Sequence, residues 1–244
     1  MEIHGDSRAA GAHWEQLAPG VVRRRLPGWD ATVGAIAGGT GVLVVDTGSS
    51  LHEGVEIRRE VQELFGLPVT HIALTHPHFD HVLGTAAFAG VQVYGAVGAA
   101  ELLLRERDEL RADAVRHGVD PDVAAEAVEL LVPPHHPVSG ELTVDLGDGR
   151  RVLLANVGPG HTAHDLAVLV DGRTEVVFCG DLVEESGEPQ AGPDALPHAW
   201  PAALDRLLAL GGDDAVYVPG HGAVVDAGFV RGQRDVLAGR FGVS

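Results

Sequence analysis

Apolar residues in this chain come in short blocks, and the period of those blocks changes along its length. Trp14–Leu17 and Val21–Arg25 read as edge strands, with Pro27-Gly28-Trp29-Asp30 as the turn that follows. Val33–Ala37 and Val42–Asp46 then pair across Gly38-Gly39-Thr40-Gly41. From Leu51 to Phe65 the period becomes helical, with Val55, Val61, Leu64 and Phe65 on one face and Gly66 and Pro68 as stops. Strand Val69–Thr75, a short helix from Val82 and strand Val91–Tyr94 complete this part.

Glu101–Arg107 and Ala124–Leu130 read as two helices broken near Gly118 and Pro121. Pro133-Pro134-His135-His136-Pro137 closes this stretch as an extended exposed turn, and its histidines are given no ligand role. Further strands are expected at Val152–Ala155, Val176–Cys179 and Ala215–Val218, and helices at Ala202–Leu210 and Phe229–Arg240. Strands and helices alternate without an internal repeat, which predicts a layered α/β architecture.

One stretch carries chemistry. Thr75-His76-Pro77-His78-Phe79-Asp80-His81 puts three imidazoles and a carboxylate directly after the apolar run Ile72-Ala73-Leu74. Pro77 has no N–H for a ladder, so the polar side chains sit on a loop at the end of a strand. Imidazole and carboxylate suit zinc and similar divalent metals. His76 and His78 can serve one ion while Asp80 and His81 turn toward a neighbour. Three later strand-like runs end in glycine and a possible ligand: Gly160-His161, Gly180-Asp181 and Gly220-His221. Glycine allows the sharp turn and the close backbone approach that such positions need.

With its pattern His-x-His-x-Asp-His, then His, Asp and His, the chain resembles the metallo-β-lactamase superfamily from about Val42 to about Val225. The resemblance implies a four-layer αββα sandwich with the metal site at one edge of its two sheets. It implies a first ion on His76, His78 and His161, a second on Asp80, His81 and His221, and Asp181 bridging both. Two zinc ions are expected, with iron or manganese as alternatives. Asp46 is similar to a buried aspartate that orients the ligand loop by hydrogen bonds; Ser49 or Ser50 is instead read as a helix cap. The early hairpin makes Trp29 and Asp30 candidate substrate contacts, against the plainer reading of a surface turn. Residues 97–135 form either an insert that shapes substrate access or ordinary scaffold. The Gly/Pro-rich run Glu184–Pro197, with His198 and Trp200 behind it, is expected at the pocket rim. His164 and Asp165 are read as supports of the ligand loop, and Cys179 as a buried structural thiol.

Composition narrows the function. The 244 residues suit one domain with a full core, taken as residues 1–244. Acids outnumber bases 35 to 17 for a net charge of −18, which argues against nucleic acid as a partner. The bases are all arginine, so a substrate carboxylate would have to be held by arginine, backbone N–H groups or metal. No apolar run approaches the roughly 20 residues of a membrane helix. Met1–Gly11 lacks the apolar core of a signal peptide, so the expected compartment is the cytoplasm. Only 23 residues follow His221, which disfavours strict glyoxalase II, a relative in metal motifs with a larger helical C-terminal domain.

The expected activity is metal-assisted hydrolysis of a small-molecule acyl bond (lactam, lactone or thioester) by water activated between the ions, with Asp80 orienting that water or moving its proton. Two rival readings stand beside it: an oxygenase resembling the mononuclear iron persulfide dioxygenases, and a metal-binding protein without catalysis.

Overall fold

The computed structural model describes residues 13–243; residues 1–12 and 244 lie outside the described residues, and with them the stretch behind the compartment expectation. Two sheets face each other. The first runs in chain order from β1 (Glu15–Ala18) through β2 (Val21–Arg25), β3 (Thr32–Ala37), β4 (Val42–Val45), β5 (Val69–Ala73) and β6 (Gln92–Ala96) to β7 (His136–Val138). It is antiparallel as far as β4 and parallel from β4 to β7. The second has the order β12-β11-β10-β9-β8, built from β8 (Glu141–Asp145), β9 (Arg151–Asn156), β10 (Leu166–Val170), β11 (Val176–Glu184) and β12 (Val216–His221). Only its β11–β12 pair is parallel.

Side chains alternate along each strand, and here both faces are buried. On β4, Val42 and Val44 join an outer core with Ile57 and Val61 of α1 (Leu51–Phe65), while Leu43 and Val45 enter the core between the sheets. On β10, Leu166, Val168 and Val170 face that middle core, and Ala167 and Leu169 face a third core. The third core is closed by Leu204 and Leu207 of α6 (Trp200–Gly211) and by Val230 and Leu237 of α7 (Ala227–Phe241). Three cores between four layers make the αββα sandwich. Each fully buried aliphatic side chain contributes on the order of 1.5–3 kcal/mol.

Residues 97–135 hold three helices: α3 (Ala99–Arg105), α4 (Arg107–Arg116) and α5 (Pro121–Leu130), with Asp120 capping the last by accepting from Asp122 N and Val123 N. Leu103, Leu110, Ala114, Ala124, Ala127 and Val128 seat them on the outer core. The periodicity misses most of α4 because only Leu110 and Ala114 are buried on a strongly charged helix. Three strands, β7, β8 and β10, are also absent from the sequence reading. Leu166–Val170 is apolar throughout, so it shows no alternation, and β8 is an edge strand with only Val144 buried. His136 lies in an edge strand rather than an exposed turn, stacked on Tyr94 at 4.7 Å. Among the described residues no helix is long and apolar enough to cross a membrane.

Candidate metal centre

Strand ends from both sheets meet along one edge. Leu166 N–H donates to Thr75 O (2.7 Å), and Ala31 bridges to His221, stitching the sheets there. The ligand loop follows β5, and its last residues wind into the short helix α2 (Phe79–Val82), which carries Asp80 and His81. His161 lies between β9 and β10, and His221 ends β12. Asp181 is not beyond a strand end, as the sequence suggests, but inside β11, which runs on to Glu184 through a bulge at Gly180.

All seven sequence-predicted ligands come together. The ligand atoms of His76, His78, His161 and Asp181 form one group and those of Asp80, His81 and His221 another, each within 4.8 Å. Asp181 Oδ2 lies 3.5 Å from Nε2 of His76, 3.5 Å from that of His161 and 3.2 Å from that of His221, while its Oδ1 lies 3.3 Å from His81 Nε2. Asp80 Oδ2 is 3.4 Å from His221 Nε2 and 3.7 Å from His81 Nε2. His78 turns Nδ1 inward, 3.0 Å from His161 Nε2. One carboxylate therefore faces both groups.

The outer nitrogen of each ring is tied down, which fixes what the inner nitrogen can do. His221 Nδ1–H donates to the Trp29 carbonyl (2.7 Å) and His161 Nδ1–H to the Gln190 carbonyl (3.1 Å). His81 Nδ1–H donates to Asp46 Oδ2 (2.9 Å) and His78 Nε2–H to Asp194 Oδ2 (2.9 Å). Thr75 Oγ1–H donates to Asp46 Oδ2 (2.7 Å), so Thr75 Oγ1 accepts from His76 Nδ1–H (3.0 Å). In the neutral ring this leaves each inner nitrogen bare and directed at the cluster, the arrangement by which outer partners set up metal-binding histidines.

Proton binding in the cluster is uneven. Burial holds His76 well below the usual imidazole range and takes His161 down to about 4. Burial also works against His221 and His81, but carboxylates outweigh it, Asp181 foremost, so His221 rises to about 9 and His81 stands well above its ordinary value. Burial would raise Asp181, yet the surrounding His76, His81 and His221 keep it well below the carboxylate range.

Among the described residues, His76 Nε2, His81 Nε2 and Asp181 Oδ1 are buried side-chain atoms without a hydrogen-bond partner. Buried polar groups are rarely left so, because each costs about 1–3 kcal/mol. Donors around a common tetrahedral zinc at 2.0–2.1 Å stand about 3.3 Å apart, and the nearest pairs in the cluster, 3.0 to 3.7 Å, bracket that value, with no ligand atom of either group more than 4.8 Å from the others. The residues present fit a divalent cation.

Other candidates are placed differently. Asp46 sits at φ 60° and accepts from Thr75 N (2.8 Å) besides Thr75 Oγ1 and His81. Trp29 reaches the cluster through its carbonyl, and its ring packs edge-on against Phe79 at 5.3 Å. Asp30 is turned to Arg25, with which it pairs. His198 is exposed and takes no part in the hydrogen bonds of the cluster, and Trp200 is fully buried behind the run Glu184–Pro197, its ring 5.4 Å from that of His161 and its indole N–H donating to Leu182 O. The segment after β11 does touch the cluster, through Gln190 and Asp194. Neither was visible in the sequence, although a carboxylate in an expected rim was the available signal. Asp165 fastens the His161 loop by accepting from Thr162 N and Oγ1. His164 leans on Val97 O, and burial pushes the Cys179 thiol far up, leaving it unreactive.

Gly220 shows how tightly β12 packs here. A Cβ at this position would run into Asp181 Oδ1 and the Gly180 backbone. Gly220→Ala is expected to displace Asp181 and weaken metal uptake at least tenfold with little change in far-UV circular dichroism; unchanged uptake in a chelator competition would disprove this.

The fold and the cluster together define a class of protein. The chain belongs to the metallo-beta-lactamase superfamily, whose profile matches residues 26–221. Its relatives include the 2,4-dinitroanisole O-demethylase subunit alpha of Nocardioides sp., 31% identical over 220 residues, which cover 86% of this chain and 60% of that protein. They also include the metallo-beta-lactamase type 2 of Bacillus cereus, 23% identical over 81% of this chain and 69% of that protein. A third is the hydroxyacylglutathione hydrolase of Nitrosococcus oceani, 28% identical over 64% of this chain and 49% of that protein. Among solved structures, a metallo-beta-lactamase from Pontibacter korlensis superposes with a TM-score of 0.73 at 22% identity, covering 93% of this chain and 98% of that one. Another, from Pseudomonas aeruginosa in a mono-zinc form, gives 0.71 at 19% identity, covering 96% and 97%. At these identities the structural likeness shows the fold.

Proposed function

We propose that this chain is a metal-dependent hydrolase of a small-molecule acyl bond, a lactam, lactone or thioester. One observation carries the metal part: His76 Nε2, His81 Nε2 and Asp181 Oδ1 are buried without a hydrogen-bond partner, within the two groups of ligand atoms. His76, His78 and His161 would hold one divalent ion and Asp80, His81 and His221 a second, with Asp181 between them; zinc is the metal that imidazole and carboxylate suit. Bound there, the metal would lower the pKa of water toward about 7 and polarise an acyl oxygen.

The chain's own residues supply orientation and proton handling. The outer hydrogen bonds hold five rings in the tautomer that ligation needs. Asp80, within 4 Å of both His81 and His221, is placed to accept a proton from water at the cluster and pass it on. His117, stacked on Phe79 at 5.4 Å, brings residues 97–135 against the ligand helix, which supports a single catalytic unit in which this stretch flanks substrate access. The acidic balance supports a small-molecule substrate and not nucleic acid.

The test is metal content per chain by mass spectrometry, on protein purified without added metal, followed by an acyl-substrate panel and, as a non-acyl comparison suggested by the demethylase relative, a nitroaryl methyl ether. Near two zinc ions with hydrolysis is the expected result. Near one iron with oxygen uptake on a persulfide would replace hydrolysis by oxygenase chemistry, and a metal-loaded protein inert across the panel would leave a metal-binding protein.

A further inference from the structure

The two halves of the cluster lean on different parts of the fold. The outer nitrogens of His76, His81 and His221 are held by Thr75, Asp46 and the Trp29 carbonyl, all in the connections of the first sheet. Those of His78 and His161 are held by Asp194 (2.9 Å) and the Gln190 carbonyl (3.1 Å). Both of these lie on the segment 185–199 between β11 and α6, which has neither helix nor strand. His78 is also the least enclosed of the five rings: its side chain is 27% exposed, against 0% for His81, 1% for His76, 5% for His161 and 11% for His221. The other four are enclosed as well as hydrogen-bonded. The His78 ring needs a tether, because free rotation about its side chain would swap which nitrogen points inward.

Resting on the metal reading above, we infer that Asp194 is a positioning residue that aims His78 Nδ1 into the cluster and couples the seating of segment 185–199 to ion binding at His76, His78 and His161. Linkage makes the coupling reciprocal: if the seated segment raises ion affinity, the ion stabilises the seated segment by the same free energy. The Gln190 carbonyl adds a second tie to the same group of ligands. In the Asp80, His81 and His221 group the segment meets only the His221 backbone, whose carbonyl accepts from Glu185 N–H (3.1 Å); the rings of His81 and His221 are held from the first sheet, so their aim does not depend on the segment.

The experiment is a zinc titration of the full chain against a chromophoric chelator, with hydrogen exchange of peptides covering 185–199 measured at each zinc level. Wild type, Asp194→Ala and Asp194→Asn are compared; Asp194 is 43% exposed, so both variants are expected to fold. Zinc should slow exchange across the segment in the wild type. Asp194→Ala should lose that protection and bind one of its ions about 10–100-fold more weakly, the usual cost of removing an outer partner of a metal ligand. In Asp194→Asn the amide oxygen can still accept from His78 Nε2–H, and most of both effects should return. Wild-type affinity and protection in Asp194→Ala would overturn the inference while leaving the metal reading intact. Asp194→Asn behaving like Asp194→Ala would also overturn it, by showing that charge and not ring orientation is at work. A wild-type chain that takes up no zinc would overturn the metal reading, and the inference with it.

Discussion

For the zinc hydrolase proposed above, Asp181→Ala is expected to drop zinc content from near two ions per chain to one or fewer and to abolish hydrolysis, a loss of on the order of 1,000-fold or more. Each outer partner of a ligand is worth about 10–100-fold, and Asp181 is not an outer partner. Its two oxygens lie within 3.5 Å of the inner nitrogens of four histidines, from both groups of ligands. Without it, four imidazoles lose the negative charge that draws a cation between them, and Asp80 alone remains to balance two ions. The fold should tolerate the change better than the chemistry does. Asp181 lies in β11 beside β12, and that ladder is made by backbone groups. The measurement is metal content with a thermal melt in chelator. Two zinc ions per chain in the variant would show that the ions sit elsewhere and would sink the assignment.

The candidate ligands, which the fold brings together, were legible in the sequence because they cluster at the ends of apolar runs, with glycine beside the later ones. That signal is local, and so is the chemistry it reports. What was not legible is the set of partners that turn the rings. Asp194 meets His78 across 116 positions, and the Trp29 carbonyl meets His221 across 192. A carbonyl has no sequence signature at all, and one aspartate among many in an acidic chain carries little. The same limit appears in the fold. On α1 the face read as Val55, Val61, Leu64 and Phe65 is only partly the buried one, since Val61 is buried with Ile57 while Val55 and Leu64 are exposed; Leu166–Val170 is buried on both faces and so looks like any apolar run. Periodicity reports one-sided burial; it says nothing where both sides are covered or, as along β8, where nearly all positions are exposed. Trp200, expected behind the run Glu184–Pro197, does lie behind it, its ring 5.4 Å from that of His161 and its N–H satisfied at Leu182 O, while His198 stays exposed.

Asp46 separates folding from metal binding through a choice of substitution. Its carboxylate is buried, accepts from Thr75 N, Thr75 Oγ1 and His81 Nδ1, and hangs from a backbone in the left-handed region, φ 60°. Alanine would leave up to three buried donors without an acceptor at about 1–3 kcal/mol each. It would also put a residue less suited than aspartate or asparagine at that φ. The expected cost is about 3–6 kcal/mol, or a fall in Tm of roughly 10–20 °C for a chain of this size, with zinc binding lost alongside. Asparagine tolerates the backbone and keeps the shape, but it has one acceptor oxygen where two are used. If its oxygen faces Thr75 N–H, its NH2 faces His81 Nδ1, which must give up its proton. The ring then carries its hydrogen on Nε2, pointing into the cluster where a bare nitrogen is needed. Asp46→Asn should therefore cost only about 1–2 kcal/mol in stability yet weaken zinc binding by a factor of 10–100. Imidazole nitrogen NMR should report the reversed tautomer at His81. Asp46→Asn with unchanged zinc affinity and Nδ1–H retained at His81 would show that Asp46 serves the fold alone, and that packing, not this hydrogen bond, sets the tautomer of His81.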